Sequence, residues 1–283
     1  MTKYKISKKV DLAQVATKEI VVGAKKKLKK VRKKISKLQD TMYAHGKYSM
    51  LVCLQGMDTS GKDSLIREVF KDVNARGVIV HSFKVPTAKE LNHNFLWRHY
   101  IALPERGKIG VFNRTHYENV LVTRVHPEYV LSEHIPTVTS VDDLDDAFYH
   151  KRMQQIVNFE NQLTDNGTII LKFFLHLSKE EQRIRLLRRL NIPEKNWKFS
   201  SGDLKERKLW DTYQYCYQDV LNRTSTVKAP WFIVPVDNKP TARLIVAETI
   251  LHTLQQYKDI QEPRLDKKME MLIEEFKEQL EQD

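Results

Sequence analysis

The chain has few of the residues that would make it a secreted, metal-scaffolded or membrane protein. Two cysteines in 283 residues are too few for a disulfide framework, and they lack the paired spacing of a zinc site. Cys53 lies in an apolar run and reads as a small core residue. No apolar stretch approaches the roughly 18 residues of a membrane helix. The opening MTKYKISKKVDLAQV has no apolar segment of the signal-peptide kind. The expectation is a cytoplasmic protein with no membrane partner. The 10 histidines show no H-x-x-x-H pattern, and His116 and His126 read as structural. A nucleophile elbow for acyl transfer is missing, as are internal repeats and low-complexity linkers.

Acid is scarce relative to base. Lys plus Arg number 48 against 36 Asp plus Glu, a net charge of +12. Such an excess implies a polyanionic partner: nucleic acid, an anionic membrane or a phosphorylated substrate. It is concentrated near the start, where KKKLKKVRKKISK (25–37) holds nine basic residues and no acid. Leu28, Val31, Ile35, Leu38 and Met42 repeat there at helical spacing. Two readings fit, a packing helix with a solvated basic face and a face that gathers a polyanion. Residues 1–47 are taken as a basic helical arm, 48–262 as the main domain and 263–283 as an amphipathic tail that docks or joins subunits.

Between arm and tail, strands alternate with helices. Strands are expected at 49–55, 78–83, 108–113, 168–177 and 230–237. Helices are expected at 65–77, 88–103, from 115 onward, and at 142–166, 178–190, 203–222 and 242–257. The alternation predicts an α/β fold, a parallel sheet with helices on both faces. Ligands in such folds sit beyond the carboxyl ends of the strands.

GMDTSGKD (56–63) stands at one such end. It matches G-x-x-x-x-G-K-[ST] at Gly56, Gly61 and Lys62, with strand and helix flanking it as a phosphate loop requires. Thr59, Ser60, Gly61 and Asp63 would then border the phosphates, with Lys62 reaching the outer ones. A glycine turn with a helix start is the plainer reading. It suits Asp63, since acids are favoured in a first turn, but not Lys62 beside it. Asp63 also replaces the usual hydroxyl. Asp58 would repel phosphate unless a cation lay between them. Mg²⁺ is commonly held by one or two carboxylates plus phosphate oxygens, so Asp58 is the candidate metal ligand.

At the end of strand three, where an aspartate often meets the metal, the chain has Asn113. Arg114 follows, with Glu118 on the same face at i, i+4. An exposed ion pair and a guanidinium phosphate clamp both fit.

Six runs, in order, resemble the second family of polyphosphate kinases: GMDTSGKD (56–63), FKVPTAKEL (83–91), FLWRHYIALPERG (95–107), VFNRTHYENVLVTRVH (111–126), NWKFSSGDLKERKLWDTYQYCY (196–217) and RTSTVKAPWFIVPVDNK (223–239). The resemblance implies a P-loop kinase fold with a mobile helical lid, about 178–226. It also implies Mg²⁺-dependent, reversible transfer of the terminal phosphoryl group of inorganic polyphosphate to a nucleotide, in a homo-oligomer, a dimer or tetramer. The family's functional aspartate and lysine map onto Asp58 and Lys62, and its strand-three arginine onto Arg114. Many members carry Asp-Arg-Ser where this chain has Asn113-Arg114-Thr115. The Asn-Arg-x-His-Tyr-Glu form is similar to the class III subgroup, which accepts nucleoside mono- and diphosphates (AMP and ADP, with GMP and GDP as further candidates). Asn113 would be a weaker, uncharged metal ligand, and Glu118 would supply part of the missing charge.

Over 182–190, Arg185, Arg188 and Arg189 share one arc of about 100° at 3.6 residues per turn, opposite Leu186, Leu187 and Leu190. A solvated face is the common explanation. A helix that overhangs the loop and closes on phosphates is the functional one. Lys84 and Arg98 are further candidates for contact with the polyphosphate, although Arg98 would equally pair with an acid. An ATP-dependent nucleotide kinase on the same fold is the alternative. A nucleic-acid-binding protein is a weaker one, for no nucleic-acid module stands out and no nucleic-acid partner is expected.

Overall fold

The computed structural model describes residues 2–198 and 201–282. Five strands, β1 (Ser49–Gln55), β2 (Val78–Ser82), β3 (Ile109–Asn113), β4 (Thr168–His176) and β5 (Trp231–Pro235), form one sheet in the order β2-β3-β1-β4-β5. All pairs are parallel. Every residue of β1, β3 and β5 is buried, because helices cover both faces, as a parallel sheet requires. One face packs on α1 (Ala24–His45), α2 (Lys62–Val69) and, near the C-terminus, Lys239–Gln256. The other packs on Glu118–Val125, Asp146–Asp165 and Trp210–Thr224. After β3 the chain crosses to the far side of β1, so the loop leaving β1 opens where the strand order reverses. Such a crevice is a ligand position in open α/β sheets.

Three expected helices are shorter than their apolar periodicity suggests. The helix after the glycine loop stops at Val69, and Asn74 instead caps a short turn through Arg76 N. The 88–103 stretch breaks into α3 (Ala88–Leu91) and α4 (Trp97–Tyr100). Thr87 and Glu90 close a capping box on α3, and the Asn94 side chain accepts from Leu96 N before α4. These local bonds compete with helix continuation. The 203–222 stretch is also two helices. The remaining helices are α5 (Glu118–Val125), α6 (Glu128–Leu131), α7 (Asp146–Asp165), α8 (Lys179–Asn191), α9 (Ser201–Lys208), α10 (Trp210–Thr224), α11 (Lys239–Gln256) and α12 (Lys267–Gln282). Trp210, Tyr213, Cys216 and Tyr217 on α10 are all buried. This helix therefore belongs to the body, and the part of 178–226 that borders the cleft is α8 to α9. Phe199 and Ser200, inside that expected lid, lie outside the described residues.

The first residues do not project as a separate arm. Lys5 bridges Phe232 antiparallel, and Ile6 N donates to Trp231 O at 2.9 Å, covering the β5 edge. Val21 N donates to Thr241 Oγ1 at 3.0 Å. On α1, Leu28, Ile35 and Met42 are buried in the same core as the sheet, and the helix lies along α11. The apolar stripe thus does what its spacing predicts, while the lysines stay in water. No residue of α12 is buried. Both cysteines are free and buried. Among the described residues, no helix is long and apolar enough to cross a membrane.

Candidate active site

The loop after β1 is a cradle built by backbone geometry. Gly56 has φ 153°, and a Cβ there would meet Leu175 O at 2.9 Å, so only glycine lets the loop lie against β4. Thr59 (φ 65°) and Gly61 (φ 98°) then turn the chain into α2. The loop carbonyls are held from α8: Arg185 Nη1 donates to Thr59 O at 3.0 Å and Ser60 O at 3.1 Å, and Gln182 Nε2 to Asp58 O at 3.2 Å. The first N–H groups of α2 have no partner inside the helix. They give the loop donors for an anion, reinforced by the helix dipole.

Lys62 folds back over the cradle. Its Nζ donates to Gly56 O at 2.7 Å and lies 3.4 Å from Met57 O and 3.5 Å from Ser60 Oγ. Burial, with Arg114 adding repulsion, pushes its pKa from 10.5 down to about 8. Arg114, in the left-handed region at φ 61°, joins the loop to β3. Its Nη2 is 2.9 Å from Asp58 Oδ1, and its Nη1 is 3.4 Å from Glu118 Oε2. Glu118, and then Asp58 against the opposing effect of burial, raise the pKa of this guanidinium. The expected i, i+4 pair thus exists, with Asp58 as a third member. Asn113 Nδ2 donates to Asp63 Oδ1 at 2.8 Å and Ser82 Oγ at 3.2 Å. Asp63 is therefore more than a helix-start residue, for it fixes the asparagine amide.

These groups open onto a cavity of about 890 Å³ lined by Asp58, Thr59, Gly61, Lys62, Asp63, Asn113 and Arg114 from the strand ends. Lys84 lines it from beyond β2, and Arg185, Arg188 and Arg189 line it from α8. Three cations that sequence reasoning missed complete the wall: Arg67, Lys239 and Arg243. Lys239 follows β5, so the rule that singled out residue 113 at a strand end would also have found it. Arg243 and Arg67 each lie one helical turn beyond a cleft residue, Lys239 and Asp63. Nine cationic side chains face three carboxylates, Asp58, Asp63 and Asp203. Burial, then Arg185, Arg188 and Arg243, push the pKa of Lys239 down to about 8. Arg243 Nε is buried without a hydrogen-bond partner.

Four expected residues sit elsewhere or act indirectly. Arg98 is a correction: it does not line the cavity. Its guanidinium is buried, donates to Lys84 O at 2.8 Å, lies 3.7 Å from Glu90 and rests over Phe83, so it supports the segment that carries Lys84. Arg185 touches the cavity, but its nitrogens are committed to Glu181, Thr59 O, Ser60 O and Val236 O. Ser60 is buried behind the loop. Glu118 reaches the cavity only through Arg114. Arg188 is exposed at the cavity, whereas Arg189 pairs with Asp203 at 3.0 Å.

The donor set suits a hard cation shared with a phosphate ligand. No cluster of three His, Cys, Asp or Glu able to hold a metal exists among the described residues. Asn113 Oδ1, however, is buried without a partner, and Asp58 and Asp63 stand at the same cavity. Two carboxylates and an amide oxygen, completed by phosphate oxygens, are a Mg²⁺ environment.

A phosphate loop at the switch point of a parallel sheet, with cations on the facing walls, defines a P-loop phosphotransferase. Comparison with known proteins narrows the class. The family model for polyphosphate kinase 2 matches residues 22–263. An ADP-polyphosphate phosphotransferase of Rhodopseudomonas palustris is 49% identical over 225 residues, 80% of this chain and 77% of the relative. An AMP/ADP-polyphosphate phosphotransferase of Meiothermus ruber is 44% identical over 228 residues, 80% and 79% of the two chains. The crystal structure of polyphosphate kinase 2 from Arthrobacter aurescens TC1 superposes with a TM-score of 0.85 at 33% identity, covering 96% of this chain and 95% of that one. The chain belongs to the polyphosphate kinase 2 family and is an enzyme of that type.

Proposed function

We propose that the enzyme moves the terminal phosphoryl group of inorganic polyphosphate to nucleoside mono- and diphosphates, AMP and ADP foremost, with GMP and GDP as further acceptors, reversibly and with Mg²⁺. The observation that carries this reading is the cation excess of the cavity. Lys239, Arg243 and Arg67 bring the wall to nine cations against three carboxylates, more positive charge than one nucleotide's phosphates balance. The names of the relatives from Rhodopseudomonas palustris and Meiothermus ruber favour the same donor.

In the forward direction a terminal oxygen of the acceptor's phosphate attacks the end phosphorus of the chain. The bond to the bridging oxygen breaks, and the chain leaves one phosphate shorter. Lys62 and Arg114 neutralise charge on the transferred group, and the loop fixes its orientation. Catalysis is then mainly positioning and electrostatics. Arg188 and Lys84 hold neighbouring phosphates from the facing walls. Asp58 keeps Arg114 aimed at the loop. Mg²⁺, held by Asp58 and Asn113 with phosphate oxygens, supplies further neutralisation when bound. Asp63 orients Asn113 for that role.

The reading includes a homo-oligomer, which the exposed Met269, Phe276 and Leu280 of α12 support, and a cytoplasmic location, which two free buried cysteines fit. The test supplies polyphosphate or ATP as sole donor, with AMP, ADP, GMP and GDP in turn. Turnover with polyphosphate, lost in Asp58→Asn and Lys62→Ala, is expected. Turnover with ATP alone would instead make the chain an ATP-dependent nucleotide kinase.

A further inference from the structure

The reaction leaves one feature unused. Helix α1 carries eight lysines (25, 26, 27, 29, 30, 33, 34 and 37), all exposed. Lysines at i, i+4 on one helix repel, each such pair costing about 0.2–0.5 kcal/mol. Packing needs only the apolar stripe, which is already buried against α11. The lysines therefore add a cost that no intramolecular contact offsets. None of them has an ion-pair partner among the described residues, whereas the one arginine of the run does. Arg32 pairs with Asp72 at 3.1 Å and Glu68 at 3.7 Å on the α2 side.

Arg32 also fixes the direction of the helix relative to the cleft. Glu68 is shared with Arg67, whose Nε lies 3.4 Å away, and Arg67 lines the active-site cavity. Arg243, also on the cavity wall, feels the charges of both Glu68 and Arg67. At the other end of the contact, Val21, three residues before α1, is bonded to Thr241, two residues after Lys239. At about 100° per residue, Lys25, Lys29 and Lys33 lie about 20°, 60° and 100° around the helix from Arg32, a row that turns from the α2 flank onto the solvent face. Lys239, Arg243 and Arg67 on the cavity wall are thus joined to the lysine row of α1 through Arg32, with Glu68 shared between Arg67 and Arg32.

We propose that Lys25, Lys29 and Lys33 of α1 hold the stretch of a long polyphosphate chain that extends beyond the cleft, and so set the enzyme's preference for chain length. The inference rests on polyphosphate being the donor. A flexible inorganic polyanion suits the surface better than nucleic acid. The 25–37 run contains no aromatic side chain, and single-stranded nucleic acid is bound on aromatic platforms beside the charge.

The test compares the wild type with Lys25→Gln/Lys29→Gln/Lys33→Gln. The donors are a long-chain polyphosphate and a short oligophosphate that the cleft alone contains, at saturating ADP. For the triple variant, KM for the long chain is expected to rise about tenfold at low salt with kcat unchanged. KM for the short donor stays within about twofold. The salt dependence of kcat/KM with the long chain loses about two units of slope, as expected for three lost phosphate contacts at about 0.7 each. The corresponding Lys→Arg triple keeps the wild-type KM. An unchanged KM for the long donor, or an equal rise for both donors, overturns the proposal. So does single-stranded RNA that binds the wild type as tightly as polyphosphate and is released by the triple change while KM stays put. Wild-type enzyme that uses neither donor would instead refute the donor assignment itself, before chain length enters.

Discussion

Lys62 and Lys172 are both cations drawn out of water, and what surrounds them differs in kind. Lys172, fully buried on β4, donates to Glu160 Oε2 at 2.6 Å, Tyr117 Oη at 2.8 Å and Thr224 O at 2.7 Å. Glu160 also accepts from Tyr117 at 2.9 Å, and His116 Nε2 lies 3.1 Å from it. Lys62 finds only neutral oxygens of its own loop. Burial lowers both lysine pKa values; Glu160 opposes it at Lys172 through its charge and a direct hydrogen bond, whereas at Lys62 Arg114 adds to it and Asp58 opposes it only through space. The interior ion pair is closed without a ligand, whereas the cleft sets nine cations against three carboxylates. The same contrast recurs within α8. Arg185 is spent on backbone carbonyls, while Arg188, one turn away in space, faces the cavity. Charge that lacks a partner locates the site better than charge density does.

The largest effect should come from breaking the interior ion pair. Lys172→Met leaves the buried Glu160 carboxylate without its cation, at a cost of about 3–5 kcal/mol in urea denaturation. Lys172→Met combined with Glu160→Leu should recover most of it. If the single change costs under about 1 kcal/mol, the interior pair is not the closed unit described. In the cleft the sign of the comparison reverses. Lys62→Ala should lower kcat by about 10²–10³, the range for loss of one transition-state donor, with the denaturation midpoint unmoved or raised. A lowered midpoint would make Lys62 a structural residue like Lys172.

The two arginines of α8 sharpen the contrast at smaller scale. Arg185→Ala removes donors from buried carbonyls of the loop, which costs about 1–3 kcal/mol and lowers kcat with stability. Arg188→Ala should change stability by no more than about 0.5 kcal/mol while raising KM for polyphosphate. Equal effects in both assays would erase the distinction between them.

That distinction marks where the sequence stops being readable. The five strands, the cradle and Lys62 are local: an apolar run, a glycine spacing and a strand end declare them. Arg185 and Arg188 share one arc of one helix, and their roles are separated by the tertiary position of the glycine loop and of Val236 just after β5, whose carbonyls accept from Arg185. Arg98 reads as a helix cation that would meet either the polyphosphate or an acid, and the structure places it beside Glu90. Lys239 was legible as a cation that follows a strand, but Arg243 and Arg67 went unseen because they converge from α11 and α2, which are far apart in the chain and meet only when both pack on the same sheet face. The Lys172–Glu160 pair was equally hidden, for a lysine inside the run TIILKFFLHL gives no sign of its partner on α7.

The last expected effect concerns pH. The pKa of Lys62 in the folded enzyme is about 8, against an ordinary value of 10.5. Between those values the unfolded chain holds a proton that the folded one has released, so the Lys62 contribution to stability rises with pH. Phosphate binding needs the charged form, so kcat/KM, which reports the free enzyme, should fall about tenfold per unit above pH 8. Activity and stability thus diverge over one pH window. The limb should move upward in kcat, since bound phosphate keeps the lysine charged. Lys239 is held at about 8 as well, so Lys239→Arg separates the two sources: a limb that survives it belongs to Lys62. A kcat/KM profile flat to pH 10 would show that Lys62 meets an anion in the free enzyme after all, and would make it resemble Lys172.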